Sequence, residues 1–398
     1  MSAERRSAPD SGSAPDSGAT PERAATPVGA VYVHAPFCAR RCVYCDFAVK
    51  VRAEGGPEPW WEAIRAELEH VEREGMFALR PELDSLYVGG GTPSLLGPDA
   101  MAGLADIVGH ERLLGGGLEW TSEANPESFD TAVAEGWRRA GVNRLSLGVQ
   151  TFHEPALRWM GRLHGAEGGG RAVATARAAG IENLSVDLIF GLPAHLGRSW
   201  EEDLDRVLDL GAPHVSLYGL TVEPGTALGR AVREGRETPV DEEQYADEFL
   251  MAAERLTAAG FVHYEVSNFA LPGYEARHNA AYWDGTAYLG LGNGAHSYAP
   301  PVRRWNVRDW EDYRARAMAG DGCEESREIL DAEASELENA WLGLRTRRGI
   351  PGPEPHSRRA LLVASWVRSG LAVSDGGRVR LTPAGWLLLD RLAVDFTG

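Results

Sequence analysis

Cysteine is scarce in this chain, with four in 398 residues. That scarcity excludes a disulfide framework, which needs even sets of cysteines distributed through a small domain. Three of the four, Cys38, Cys42 and Cys45, fall within eight positions, while Cys323 stands alone. The pattern points to a reduced compartment and a metal site. Long apolar runs are missing too. None approaches the roughly 20 apolar residues that cross a bilayer, and the N-terminus lacks the apolar core of a signal peptide. No transmembrane segment is expected, and a cytoplasmic location is. Positive charge is in deficit: 58 acidic against 40 basic side chains leave a net charge of -18. Such a surface repels phosphate backbones, so nucleic acid is not the expected partner.

The composition that remains is 43% hydrophobic and 25% charged, enough for a substantial core. The length predicts two folded units, since a barrel of about 250 residues leaves room for a smaller one. Residues 1–28 are rich in Ser, Ala, Pro, Asp and Gly and contain SAPDSG twice from Ser7 to Gly18. A segment of that composition buries too little apolar surface to offset its ordering entropy, so it reads as a disordered tail.

From Val31 onward, strand-like runs alternate with helical ones: VYVHAPF, SLYVGG, EWTSEAN, RLSLGVQ, LSVDLIFG and HVSLYGL, separated by stretches such as WWEAIRAELEHVEREG and EEDLDRVLDLG. Six βα units imply a parallel α/β sheet, either open and doubly wound or a partly closed barrel. In both, ligands bind at the carboxyl ends of the strands. There the sequence places CARRCVYC after the first strand, GGGTPS after the second, Glu123 and Gln150 at the ends of the third and fourth, and Asp187 in the fifth. An acidic helix, DEEQYADEFLMAAERLTAAG, precedes a segment at 261–322 expected to extend the barrel edge, in which GLGNGAH reads as a turn. Residues 323–398 read as helices around a hairpin with a DGG turn, a winged-helix-like module. It shows no concentrated basic stripe beyond Arg345–Arg348 and the Arg358-Arg359 pair, so a lid or partner surface is expected rather than nucleic-acid binding.

The spacing Cys38-x3-Cys42-x2-Cys45 sets three thiolates on one loop, and each can take one iron of a cubane cluster. Three ligands for four irons leave one iron open. The alternative is zinc completed by His34, but zinc sites draw ligand pairs from two segments and no second pair occurs. CxxxCxxC after a first strand with GGGTP after a second resembles the radical SAM superfamily. The resemblance implies a [4Fe-4S] cluster whose open iron binds S-adenosylmethionine, and a partial (β/α)6 barrel over 29–260.

More narrowly, YVHAPFC, YVGGGTPS, RLSLGVQTF, VDLIFGLP and EPGTAL resemble the oxygen-independent coproporphyrinogen III oxidase family. By that resemblance Tyr32, Tyr44, Gly90, Gly91, Thr92, Glu123, Gln150, Arg162 and Asp187 contact S-adenosylmethionine. The oxidase pattern carries a further cysteine where this chain has Phe47. CxxxCxxCDF, together with HNxxYW at His278, Asn279, Tyr282 and Trp283, is similar to the heme chaperone branch, HemW. The resemblance implies heme binding by those four residues and heme transfer to a client protein, respiratory proteins being the class the family implies. It leaves a homodimer open. His34, His263 and His296 are competing heme ligands. The alternative function is radical-based oxidative decarboxylation of coproporphyrinogen III.

Overall fold

The computed structural model describes residues 24–51 and 56–398. The expected tail at 1–28 lies mostly outside them, but its last residues depart from expectation. Thr26–Val28 is a strand paired in parallel with Phe77–Leu79, and Val28 is fully buried. The apolar valine finds a partner strand about fifty residues away, a pairing with no local signature.

The expected alternation folds as six parallel strands, β1 (Ala30–Ala35), β2 (Ser85–Gly90), β3 (Glu119–Ala124), β4 (Arg144–Gln150), β5 (Asn183–Phe190) and β6 (His214–Gly219). Each is followed by helical segments that cover one face, and nearly every residue of β3 and β4 is buried, as parallel strands require. The helices start where chemistry permits. Asp130, Ser199 and Asp241 each accept a backbone N–H from the first turn of the helix they open.

The 261–322 segment divides between the two edges of this sheet. β7 (Val262–Glu265) and β8 (Asn268–Ala270) form a hairpin antiparallel to β6. At the other edge, β9 (Tyr288–Leu291) lies parallel to β1, so the parallel core has seven strands rather than six. β10 (His296–Ala299), β11 (Val302–Asn306) and β12 (Glu324–Ile329) continue antiparallel from it. The full order is β7-β8-β6-β5-β4-β3-β2-β1-β9-β10-β11-β12. Its two ends are not joined, so the barrel is partial. β12 was expected in the C-terminal module; its backbone instead pairs along β11.

The GLGNGAH run is the connection from β9 to β10. Buried Glu67, on the helix Glu58–Glu74, holds this turn, accepting from the backbone N–H of Gly292 at 2.7 Å, Asn306 Nδ2 at 2.5 Å and the Tyr313 hydroxyl at 2.7 Å. The remaining module contains a three-stranded antiparallel sheet whose hairpin turns at Gly376 and Gly377, both with positive φ as a two-residue turn requires. Around it pack the helices Ala332–Leu344, Arg358–Arg368 and Leu389–Thr397. Among the described residues no helix is long and apolar enough to cross a membrane.

Candidate functional site

The carboxyl ends of the parallel strands surround one cavity of about 1070 Å³. That is just above the range of about 300–1,000 Å³ for small-molecule sites. Cys38, Cys42 and Cys45 line it, as do Tyr32, Tyr44, Gly90, Gly91, Thr92, Glu123, Gln150, Arg162 and Asp187. Residues spread over 156 positions of sequence therefore meet at one wall.

Each is set in place by a definite local cause. Gly90 has φ 107°, and a β-carbon there would lie 2.2 Å from the His34 ring, so only glycine lets the strand end pass the imidazole. Its N–H donates to Glu123 Oε2 at 3.0 Å, and the Tyr87 hydroxyl donates to Oε1 at 2.8 Å. Burial outweighs both bonds and pushes the Glu123 carboxyl up to about 7. Asp187 accepts from Ser146 Oγ at 2.9 Å and Ser185 Oγ at 3.1 Å, and burial raises it as well. Gln150 sits at a register shift in β4 with φ 70°, a left-handed conformation that a non-glycine residue adopts at some cost. Two half-buried carboxyls and an amide carried on a strained backbone face one space, groups held ready for a polar ligand.

At the cysteine loop, Thr92 Oγ1 donates to Cys38 Sγ at 3.5 Å and Arg162 Nη1 to Cys42 Sγ at 3.9 Å. Burial, partly offset by the Thr92 bond and reinforced by Cys45 and Cys42, pushes the Cys38 thiol up to about 11. The Cys38 and Cys45 thiols, both raised mainly by burial, thus resist ionising until a cationic centre compensates them, as an iron-sulfur cluster does. Among the described residues no three His, Cys, Asp or Glu side chains converge on a single metal-ion position. A cubane asks for something else, one thiolate for each of three irons. His34 does not complete a zinc site: its Nε2–H donates to the Ala48 carbonyl at 3.0 Å, and Nδ1 accepts from the Tyr32 hydroxyl at 3.0 Å. The residues present fit a [4Fe-4S] cluster held by the three cysteines, which supplies an open iron for S-adenosylmethionine.

Asn125 was not singled out from sequence, yet it ties the site together. Its Nδ2 donates to Thr92 Oγ1 at 3.0 Å and its Oδ1 accepts from Arg162 Nη2 at 2.7 Å. The one available signal was its position directly after β3 in SEANPE. Arg162 also donates to the Gly148 carbonyl at 2.6 Å, so its fork is largely spent on the protein.

The cavity is also lined by an aromatic wall of Tyr282, Trp283, Tyr288, Tyr298, Trp341 and Leu342, with Arg303 over the Tyr298 ring, while Arg308 lies at the cysteine loop and donates to Asp46. Tyr282 meets Tyr288 edge-on at 4.6 Å, and the Arg345 guanidinium lies 4.2 Å over Trp283. Of the HNxxYW residues, Tyr282 and Trp283 reach the cavity, whereas His278 and Asn279 do not. His278 is 1% exposed; Nδ1 bonds Ser85 Oγ and Nε2 the Tyr282 hydroxyl, each at 2.8 Å. Phe47 stands at the mouth, 65% exposed. His263 is enclosed by Phe269 and Trp386 outside the cavity. Cys323 is buried away from the other three.

Residues 32–207 match the model of the radical SAM superfamily. The chain is 38% identical over 376 residues to the heme chaperone HemW of Mycobacterium tuberculosis, covering 92% of this chain and 94% of that one. It is 35% identical to the heme chaperone HemW of Lactococcus lactis over 81% of this chain and 82% of that one. Among solved structures it is similar to coproporphyrinogen III oxidase (HemN) from Escherichia coli, described as a radical SAM enzyme. That likeness has a TM-score of 0.76 and 22% identity, and covers 94% of this chain and 90% of that one. The shared fold is the radical SAM partial barrel, and the chain belongs to the HemW heme chaperone family within the radical SAM superfamily.

Proposed function

We propose that this protein binds heme in the aromatic end of the cavity, beside the S-adenosylmethionine site, and hands it to an acceptor protein in the cytoplasm. The observation that carries the reading is the continuity of one cavity from the cysteine loop to the wall of Tyr282, Trp283, Tyr288, Tyr298 and Trp341. Aromatic faces suit a flat macrocycle, and Arg303, which is paired with Glu328 and Glu338, is the cation at that wall. His278 takes part by fixing the Tyr282 hydroxyl. Phe47 keeps the position of a further thiol apolar. The chaperone names of the relatives support the same reading.

The test is transfer. Protein loaded with heme and freed of excess is mixed with an apo-form acceptor, a respiratory heme protein being the first choice. The acceptor's spectrum should grow while the donor's declines. Supplied instead with coproporphyrinogen III, S-adenosylmethionine and a reductant, the chain should form no protoporphyrinogen; turnover without transfer would establish the decarboxylase. The mass of the loaded protein in solution distinguishes one chain from a homodimer.

A further inference from the structure

Behind the cavity wall, a line of hydrogen bonds runs from β7 to Asp187. The Tyr264 hydroxyl, on β7, accepts from the backbone N–H of Ala276 at 3.2 Å and lies 2.8 Å from His214 Nε2. His214 opens β6 and is 1% exposed, and its Nδ1 lies 2.8 Å from Ser185 Oγ on the neighbouring β5. Ser185 Oγ donates to Asp187 Oδ1 at 3.1 Å, and Ser216 Oγ, 3.0 Å from Ser185 Oγ, bonds the same carboxyl group. Ser185 and Asp187 are two residues apart on β5, so their side chains share one face of the strand. Of these groups only Asp187 lines the cavity.

The line holds few protons, and that fixes its direction. Burial, reinforced by the Arg144 charge, keeps the His214 imidazole neutral, so one ring nitrogen carries a proton and the other a lone pair. When Tyr264 donates its one hydroxyl proton to Nε2, the imidazole proton sits on Nδ1 and donates to Ser185. The Ser185 proton is then left for Asp187. With the imidazole proton on Nε2, Ser185 donates to Nδ1 instead, and the carboxylate loses that donor. The tautomer of one buried histidine therefore decides what reaches Asp187. Burial disfavours the Asp187 charge, while the hydroxyls of Ser216, Ser146 and Ser185 and the Arg144 guanidinium on β4 favour it. Tyr87, Glu123 and Tyr218 face the same carboxyl from β2, β3 and β6.

We propose that Tyr264 and His214 are positioning residues for Asp187: through Ser185 they make its carboxylate the accepting end of the chain and hold a charged oxygen toward the cation S-adenosylmethionine. The inference rests on the reading of Asp187 as a contact of that cofactor. Successive bonds pointing one way polarise each other, so the donor at Tyr264 strengthens the bond made at Asp187. The coupling is reciprocal. A cofactor that favours the carboxylate also favours the proton on Nδ1, and removing that preference weakens the cofactor.

The experiment uses the cluster-loaded protein at neutral pH. Affinity for S-adenosylmethionine is measured by equilibrium dialysis for wild type, Tyr264→Phe, Ser185→Ala, the double variant and Asp187→Asn, with a thermal melt of each. The tautomer is read from nitrogen-15 spectra of histidine-labelled wild type saturated with the cofactor, the His214 signals being those missing from His214→Asn. The proton should be on Nδ1. Ser185→Ala should weaken binding roughly tenfold, the size of one hydrogen bond to a charged group. Tyr264→Phe should weaken it at least about threefold, as the chain loses part of its polarisation. The double variant should bind no more weakly than Ser185→Ala alone, because Tyr264 acts through Ser185. A proton on Nε2 overturns the inference whatever the variants do. So does unaltered affinity in Tyr264→Phe, and so do losses that add in the double variant, the mark of a merely structural tyrosine. Undiminished affinity in Asp187→Asn is a separate failure, since it removes the reading of Asp187 itself.

Discussion

The Nε2 atom of His278 lies 2.8 Å from the hydroxyl of Tyr282, and this bond joins a residue sealed behind the cavity wall to one that forms the wall. The Tyr87 ring, whose hydroxyl bonds Glu123, stacks on the same imidazole at 5.1 Å. His278 is thus a strut between the two ends of the cavity. Its truncation to alanine leaves Ser85 and Tyr282 without partners and opens a void. The expected cost is about 2–4 kcal/mol in urea unfolding. Tyr282→Phe keeps the ring and loses one bond, so it should cost about 1–2 kcal/mol. Equal stability of all three proteins contradicts the strut.

Iron content tests the cysteine loop. Cys42→Ala should lose most iron and sulfide after anaerobic reconstitution, along with the brown colour. Cys323→Ala should keep both, because Cys323 is buried beside the Tyr313 carbonyl and shares nothing with the loop. Retention by the first variant or loss by the second would remove the cluster assignment.

Asp187 offers a separable test of the cofactor end. Ser146 and Ser185 hold its carboxylate in place, so Asp187→Asn preserves shape while removing charge. Affinity for S-adenosylmethionine in equilibrium dialysis should fall about tenfold, equivalent to about 1.4 kcal/mol, with iron content unchanged. Undiminished affinity would place the cofactor elsewhere.

Acid sensitivity follows from the buried histidines. His263 stacks on Phe269 at 3.8 Å and its Nε2 bonds the Val266 carbonyl, and burial pushes it down to about 4. In the unfolded chain it titrates near 6.5. Between those values the unfolded state binds a proton that the folded state refuses, so stability falls as pH drops below about 6.5. Glu67 and Glu123, raised by burial to about 7, act in the opposite sense, since their folded forms bind protons first. A difference isolates the histidine. From pH 6.5 to 5.5, His263→Leu should lose roughly 1 kcal/mol less stability than wild type in urea unfolding. Identical losses would show that His263 is already protonated in the fold.

Much of this architecture was legible in the sequence. The alternation of short apolar runs with amphipathic stretches marks β1 to β6 because strand and helix periods are local properties. The clustered cysteines, GGGTP and the acids at strand ends then fix where chemistry gathers, since parallel strands share a carboxyl edge. β9 was not legible. Tyr288–Leu291 is four residues long and pairs with β1 more than 250 positions away, and nothing local records such a partner. The separation of His278 from the cavity was equally hidden. A motif states which residues occur together, while burial and hydrogen bonding decide which of them face the ligand. GLGNGAH read as a turn, which it is; that it delivers His296 to the cavity depends on Glu67, more than 200 positions earlier, and on the hairpin that brings Trp305 against the ring.

The central claim is that one cavity holds a cluster-bound cofactor at one end and heme at the other. Its most direct test is the heme retained per chain after gel filtration of anaerobically reconstituted protein saturated with S-adenosylmethionine. The account predicts one heme per chain with the cluster intact. No retained heme, in a preparation that converts coproporphyrinogen III to protoporphyrinogen, would contradict it.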